Sequence, residues 1–217
     1  LLVGHSTTGT LNNATENTGV GVEVLDALTS GDANTAVGLR AMSTTTTGLQ
    51  NTAVGKEAMR ANTNGTKNTA IGSESLETNI GGNFNSALGR RALFANSSGS
   101  YNTGIGTEAL NSVTGSRNIG LGASAGQNIT TGSGNVIIGE VDAAAVDSTR
   151  TLKIAGYDGS TTTTWISGDS SGNLVTGGDI EGGTLTARGD GSSADGKIIL
   201  NCSQNSHGVK IQSPAQS

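Results

Sequence analysis

A chain of 217 residues is long enough for one or two domains, but 2% aromatic and 33% hydrophobic residues exclude a conventional globular core. With 13% charged residues and one proline, it is neither a charge-swollen disordered chain nor a collagen-like or proline-rich linker. A net charge of −5, with mixed signs and no basic stripe, argues against nucleic-acid binding, and no run of about 18 apolar residues is present to insert into a membrane.

Residues 1–140 read as a repeat. An asparagine returns every 17 residues at Asn17, Asn34, Asn51, Asn68, Asn85 and Asn102, slips by one to Asn118, and resumes at Asn135. Gly31, Gly48, Gly65, Gly82, Gly99, Gly115 and Gly132 each stand three residues before the next asparagine. Two markers locked to one period predict a solenoid of about eight coils. Val3-Gly4 stands one period before Val20-Gly21, so the chain opens in mid-repeat. It is therefore expected to be a piece of a longer protein, in which a missing leader segment proves little.

Within each coil, Asn is position one. The Thr-Ala-Val stretch after it predicts a short strand, with the fourth-position apolar residue pointing inward (Val37, Val54, Ile71, Leu88, Ile105). The ninth position is long and flexible, as in Met42, Met59, Leu76 and Leu93, and is expected in the core. Glycines at positions five and fifteen read as corners, needed for positive φ or close backbone approach. Between them, segments such as Lys56–Met59 read as strand and turn, with a helical turn as the alternative. Stacked at about 4.8 Å, the asparagines would form a hydrogen-bonded ladder along the axis. The repeat-defining residues are thus Asn34, Gly38, Asn51, Gly55, Asn68, Gly72, Asn85, Gly89, Asn102 and Gly106.

A single coil offers about two large apolar side chains, worth roughly 1.5–3 kcal/mol each when buried. Ordering its backbone costs on the order of 1–2 kcal/mol per residue. So thin a coil gains from burying a further face between copies, and a homotrimer is expected.

Regularity fades after Gly139. Residues 141–150 read as a connector, and 151–217 as a Gly-rich, extended fibrous β region. Strands at Thr151–Ile154 and Thr164–Ile166 flank an Asp158-Gly159 turn, and a second pair, Lys197–Leu200 and Val209–Ile211, flanks a turn at His207-Gly208. The fold class predicted is mainly β: a 17-residue-repeat β-solenoid or β-roll followed by fibrous β-structure.

Asn-Thr-Ala-Val-Gly-x-x-Ala-Met/Leu with a trailing Thr-x-Gly resembles the repeats of bacteriophage tail fibres. More distantly, it is similar to the trimeric β-roll heads of YadA-like adhesins, whose Asn-Ser-Val-Ala-Ile-Gly motif has a shorter period and one more residue between Asn and Gly. Residues Gly196–Pro214 resemble segments of fibre proteins from marine short-tailed phages, including those infecting cyanobacteria. The resemblance implies an extracellular, non-enzymatic structural segment of a virion tail fibre supporting host attachment. Its partners would be two further copies, other tail or virion proteins, and a host cell-surface polysaccharide or protein. The alternatives are a trimeric bacterial adhesin head binding a host or matrix ligand, and a fibre-associated polysaccharide depolymerase.

Candidate chemistry is sparse, and no catalytic residue, cofactor or metal site is expected. His5 and His207 lie at opposite ends without a nucleophile, and Cys202 reads as a small strand residue. Glu23, Glu57, Glu74 and Glu108 at position seven alternate with Arg40 and Arg91 and read as a solvated mixed-charge row rather than a glycosidase pair. Asp169–Gly172 and Asp179–Glu181 offer oxygen ligands without complete calcium-loop spacing. Arg188-Gly189-Asp190, the Asn96-Ser97-Ser98 sequon and the Thr44–Thr47 run read as chance matches to integrin-binding, glycosylation and ice-binding patterns.

Overall fold

The computed structural model describes residues 2–3 and 14–177, all within one compact unit. The second hairpin at 197–211, Cys202, His5, His207, Asp179–Glu181 and Arg188–Asp190 lie outside the described residues. Those described are all β and turn, with no helix. Each coil contributes one three-residue strand: β2 (Thr18–Val20), β3 (Thr35–Val37), β4 (Thr52–Val54), β5 (Thr69–Ile71), β6 (Ser86–Leu88), β7 (Thr103–Ile105), β8 (Ile119–Leu121) and β9 (Val136–Ile138). Neighbours pair in parallel with like positions aligned, and β1 (Leu2–Val3) joins β2 in the same register. The 17-residue β-solenoid of about eight coils is therefore present.

The inward residue of each strand is the third, not the fourth. Ala36, Ala53, Ala70 and Ala87 are buried, whereas Val54 is 36% exposed, Ile71 41% and Leu88 49%. Side chains alternate across a strand, so only one of positions three and four can face inward. The ninth-position Leu25, Met42, Met59, Leu76, Leu93 and Leu110 fill the interior completely and leave room for little more than a methyl opposite. A size exchange in the last two coils follows the same logic. Where position nine shrinks to Gly126, Ile137 replaces the alanine, and a Cβ on Gly126 would come within 3.3 Å of the Ile137 side chain.

The segment after the position-five glycine is a run of turns rather than helix or strand. In the coil from Asn51, the amides of Ala58, Arg60 and Asn62 donate to the carbonyls three residues earlier at 3.3, 3.2 and 3.0 Å. The alternate amides of Glu57, Met59 and Ala61 reach neighbouring coils at 2.8–2.9 Å. This alternation requires left-handed backbone at ordinary residues: Glu57 has φ 57° and Met59 φ 50°, and the coils from Asn17 to Asn102 all repeat the pattern. Each such residue costs roughly 1–2 kcal/mol, offset by the inter-coil hydrogen bonds it permits.

The one-residue slip falls in the turn before Gly115, where position fourteen is missing. Asn118 still bonds to Asn102 as its predecessors do, at 2.9 Å from its amide, so the rows on either side keep register. Residues 141–150 close the eighth coil rather than bridging two modules. Val141 and Ala143 are buried in the common core, the Gly126 and Thr130 amides donate to Val141 and Val146, and Thr151 occupies the next asparagine place. The sheet then continues without interruption: β10 (Leu152–Tyr157) pairs parallel with β9 and antiparallel with β11 (Thr162–Gly168), which pairs with β12 (Leu174–Thr176). The expected Asp158-Gly159 hairpin is thus present, with longer strands.

Asp158 caps this hairpin. The backbone amides of Thr161 and Ser160 donate to Oδ1 at 2.8 and 2.9 Å, with the Ser160 hydroxyl at 3.0 Å, and together they hold its carboxyl below the ordinary range. Because the folded pKa is depressed, these bonds support the turn above the unfolded value and are lost as pH falls through the folded one. Carboxyl-carbon NMR should give Asp158 a midpoint below about 3.9, the value for a free aspartate; an unshifted midpoint would contradict the cap.

Candidate functional site

The repeat-defining asparagines form one continuous buried ladder. Asn51 Nδ2 donates to Asn34 Oδ1 at 3.1 Å and to Gly65 O at 2.8 Å, while the Asn51 amide donates to the same Asn34 Oδ1 at 3.0 Å. Asn68 repeats all three bonds one coil on, at 3.1, 2.8 and 3.0 Å. Asn85, Asn102, Asn118 and Asn135 continue the amide-to-Oδ1 series. A side chain bearing both an acceptor and two donors at the right reach is needed at every rung, and among the residues of this size asparagine supplies it.

The paired glycines are explained separately. Gly38, Gly55, Gly72, Gly89 and Gly106 all have φ between 129° and 141°, and a Cβ on any of them would strike the next glycine in the row. Position fifteen needs no unusual φ. A Cβ on Gly48 would instead lie 2.7 Å from Gly65 O and 2.9 Å from Asn62 Nδ2, so close approach alone demands glycine there.

A second buried row was not anticipated, although its 17-residue spacing is visible in the sequence. Asn62, Asn79 and Asn96 at position twelve are joined by Nδ2-to-Oδ1 bonds of 2.7 and 3.2 Å and each donates to the glycine carbonyl three residues later. The Asn96 sequon is therefore internal. One coil earlier the row is broken by Thr45, whose buried hydroxyl has no hydrogen-bond partner; within the Thr44–Thr47 run only Thr44 and Thr47 are exposed. Thr45→Val removes that unpaired group at nearly constant shape and should raise stability by about 1 kcal/mol in urea unfolding; a loss instead would mean that the hydroxyl is satisfied.

The position-seven charges form a mixed-charge row whose members are joined by ion pairs. Arg40 Nε lies 2.6 Å from Glu23 Oε2, Arg91 bridges Glu74 and Glu108 at 3.6 and 3.7 Å, and Arg60 pairs with Glu77 on a parallel row. Position seventeen carries a cation–aromatic ladder that sequence reasoning missed. The Phe84 and Tyr101 rings stack at 4.9 Å and 4°, with Lys67 over one end at 5.1 Å and Arg117 over the other at 5.4 Å.

The strand residues that face outward form two continuous rows. Position two is Thr or Ser from Thr18 to Thr103 and becomes Ile119, Val136 and Leu152. Position four is Val, Ile or Leu from Val20 through Ile138 and continues in register as Ile154 and Ile166. Neither row contains a charged residue.

Beside β10, a shallow depression of about 450 Å³ is lined by Glu140, Asp142, Lys153 and Tyr157 among others. Asp142 Oδ1 there accepts the Asn128 amide at 3.0 Å, and the Lys153 ammonium donates to the Asp142 carbonyl at 2.8 Å. In the Asp169–Gly172 loop, Asp169 accepts Asn173 Nδ2 at 2.7 Å and the Asn173 and Ser171 amides at 3.0 and 2.9 Å. Its carboxylate thus closes its own loop. Among the described residues, no group of three or more His, Cys, Asp or Glu side chains is placed to hold a metal ion, and no helix is long and apolar enough to cross a membrane. Comparisons with family models, with curated proteins and with solved structures return no match.

Proposed function

We propose that this chain is a structural segment of a viral tail fibre that supports host attachment without chemistry of its own. The observation that carries the reading is the unbroken stack: the Asn ladder and parallel strands keep register from the coil of Asn17 to Thr151, across a one-residue deletion. Such a stack transmits force along its axis and spaces other modules, because each coil is tied to its neighbours by side-chain and backbone bonds together. The fibre-like motifs in the repeats and in residues 196–214 supply the viral setting. The assembly is a homotrimer, and several fibres on one particle turn weak contacts with a surface polysaccharide or protein into firm attachment.

Immunogold microscopy of cultures producing the protein tests this reading. Label along appendages of released virus particles is the expected result. Label confined to the bacterial cell surface would replace the fibre with a trimeric adhesin head. The depression holding Glu140 and Asp142 favours one further reading, a polysaccharide depolymerase. Release of reducing ends from host capsule or lipopolysaccharide by the purified chain would establish that activity, and its absence supports the structural role.

A further inference from the structure

We infer that position seventeen, from Lys67 to Arg150, is a binding row for an acidic polysaccharide, a linear chain whose carboxylate or sulfate groups are set apart by neutral sugars. The inference deepens the attachment role proposed above, on which it rests for the polysaccharide, by giving that ligand a place and a charge. The row is straight because its members share one backbone pose. Lys67, Phe84, Tyr101, Arg117, Gly134 and Arg150 all have φ between 53° and 73°. Each amide donates to the residue just before its counterpart one coil earlier, Arg117 to Ser100 O at 2.9 Å and Arg150 to Ser133 O at 2.8 Å.

Charge is sorted along this row. Arg40, Lys56, Arg60, Arg90 and Arg91 each stand within 4.0 Å of a glutamate carboxylate, and Lys153 donates to the Asp142 carbonyl. The other described cations are Lys67, Arg117 and Arg150. All three are exposed, all three lie in this row, and none has a carboxylate in ion-pair reach among the described residues. From Thr66 and Thr69 onward the exposed rows on either side, positions sixteen and two, contain no acid. A chain of net charge −5 thus presents one positive line, which draws a polyanion there rather than to the glutamate row.

The cations are also held in line. Lys67 and Arg117 lie over the two ends of the Phe84–Tyr101 stack, at 5.1 and 5.4 Å from the ring centroids. The Arg150 stem lies over Gly134, where a Cβ would come within 3.2 Å of Arg150 Cγ. Beside them runs a file of hydroxyls with protons to donate. Ser100, Ser116 and Ser133 Oγ accept the amides of Asn83, Ser100 and Ser116 at 3.0 Å, so each hydroxyl proton remains for a sugar or sulfate oxygen.

Spacing selects a polysaccharide over a nucleic acid. Lys67 and Arg117 are three rungs apart and Arg117 and Arg150 two, roughly 14 Å and 10 Å at strand spacing. A nucleic acid carries a charge about every 3.4 Å along each strand, and cations so far apart leave most of those unanswered. The faces of Phe84 and Tyr101 are taken by each other and by the two cations, so no base can stack on them. Charges separated by neutral, hydroxyl-bearing rings fit both the cations and the hydroxyls between them.

Binding of the full chain to immobilised hyaluronan and chondroitin sulfate tests the row, with dextran as the neutral chain and a single-stranded oligodeoxynucleotide as the densely charged one. Lys67→Gln, Arg117→Gln and Arg150→Gln together install a residue that already takes this backbone pose at Gln50, φ 55°. The expected result is binding to an acidic glycan that weakens about tenfold or more in this variant and falls with added salt. Arg117→Lys with Arg150→Lys keeps the charge and should stay within about threefold of the parent. Arg40→Gln with Arg90→Gln, off the row, should stay within about twofold. No binding to either acidic glycan, equal binding to dextran, or a loss no larger for the row than for Arg40 and Arg90 overturns the site. Tighter binding to the oligonucleotide overturns the choice of ligand. Virus label without glycan binding keeps the fibre and removes the site; glycan binding through the row without virus label keeps the site and removes the fibre.

Discussion

Asn68→Asp is expected to lower stability by about 3–5 kcal/mol at neutral pH, the cost of leaving a buried charge without a compensating partner. Asn68 is fully enclosed, and its Nδ2 supplies the bonds to Asn51 Oδ1 and Gly82 O. A carboxylate at that place turns two donated bonds into two contacts between oxygens. It still accepts the Asn85 amide, which bonds Asn68 Oδ1 at 2.9 Å, so part of the rung survives. Burial and the facing oxygens raise the folded pKa of the introduced acid above its unfolded value of about 3.9. The destabilisation is therefore complete above the folded pKa and recedes as pH falls toward the unfolded one, when a protonated carboxyl can again donate. Urea unfolding at pH 8 and pH 5 should show the gap to the parent protein narrowing on acidification. Asn64→Asp, at an exposed site in the preceding coil, should stay within about 0.5 kcal/mol at both. Equal losses at the two sites would mean that the ladder contributes nothing particular.

The legible and illegible parts of this fold divide along physical lines. The Asn and Gly rows could be read because each is the answer to a narrow demand: a side chain that donates and accepts at one reach, or a place where any Cβ collides. Hydrophobicity misled at position four. Val and Ile look like core beside Ala, yet the space across the coil is set by the ninth-position Leu or Met, and what remains suits Ala. A three-residue strand offers no longer alternation to correct the error. The Asn62–Asn79–Asn96 and Lys67–Phe84–Tyr101–Arg117 rows were present at the same spacing and needed only a reading of every position of the coil, not of the two loudest. Left-handed backbone at Glu57, Met59, Leu76 or Arg91 has no sequence signal, since each of these residues disfavours it. The 141–150 stretch lost its motif but kept its place in the core, because Val141 and Ala143 meet the demand for small or branched apolar side chains without the Asn and Gly that mark other coils.

The glycine rows permit a sharper separation of causes, and Gly72→Ala should show the largest loss among them. At Gly72 two costs coincide. Its φ of 136° is one that a residue with a Cβ rarely adopts, worth on the order of 1–3 kcal/mol. Its Cβ would also lie 2.5 Å from Gly89 O and 2.6 Å from Gly89 C, backbone atoms that cannot swing aside. The adjacent coils would have to separate, stretching the Asn68–Asn85 rung and the β5–β6 pairing that immediately precede the added methyl. Gly172→Ala carries the first cost alone, since φ is 85° in an exposed turn with nothing within 4 Å. Gly48→Ala carries the second alone, with ordinary φ and Gly65 O at 2.7 Å. The expected order of loss in thermal or urea unfolding is Gly72 above Gly48 above Gly172, with Gly72→Ala at about 3 kcal/mol or more. Because coils are coupled mainly to their neighbours, that loss should appear with a reduced m-value, as the stack parts at the damaged rung and unfolds in two pieces. If Gly72→Ala cost no more than Gly172→Ala, the glycine would serve only the bend of its own coil. The tight spacing between coils would then have to come from the Asn ladders alone.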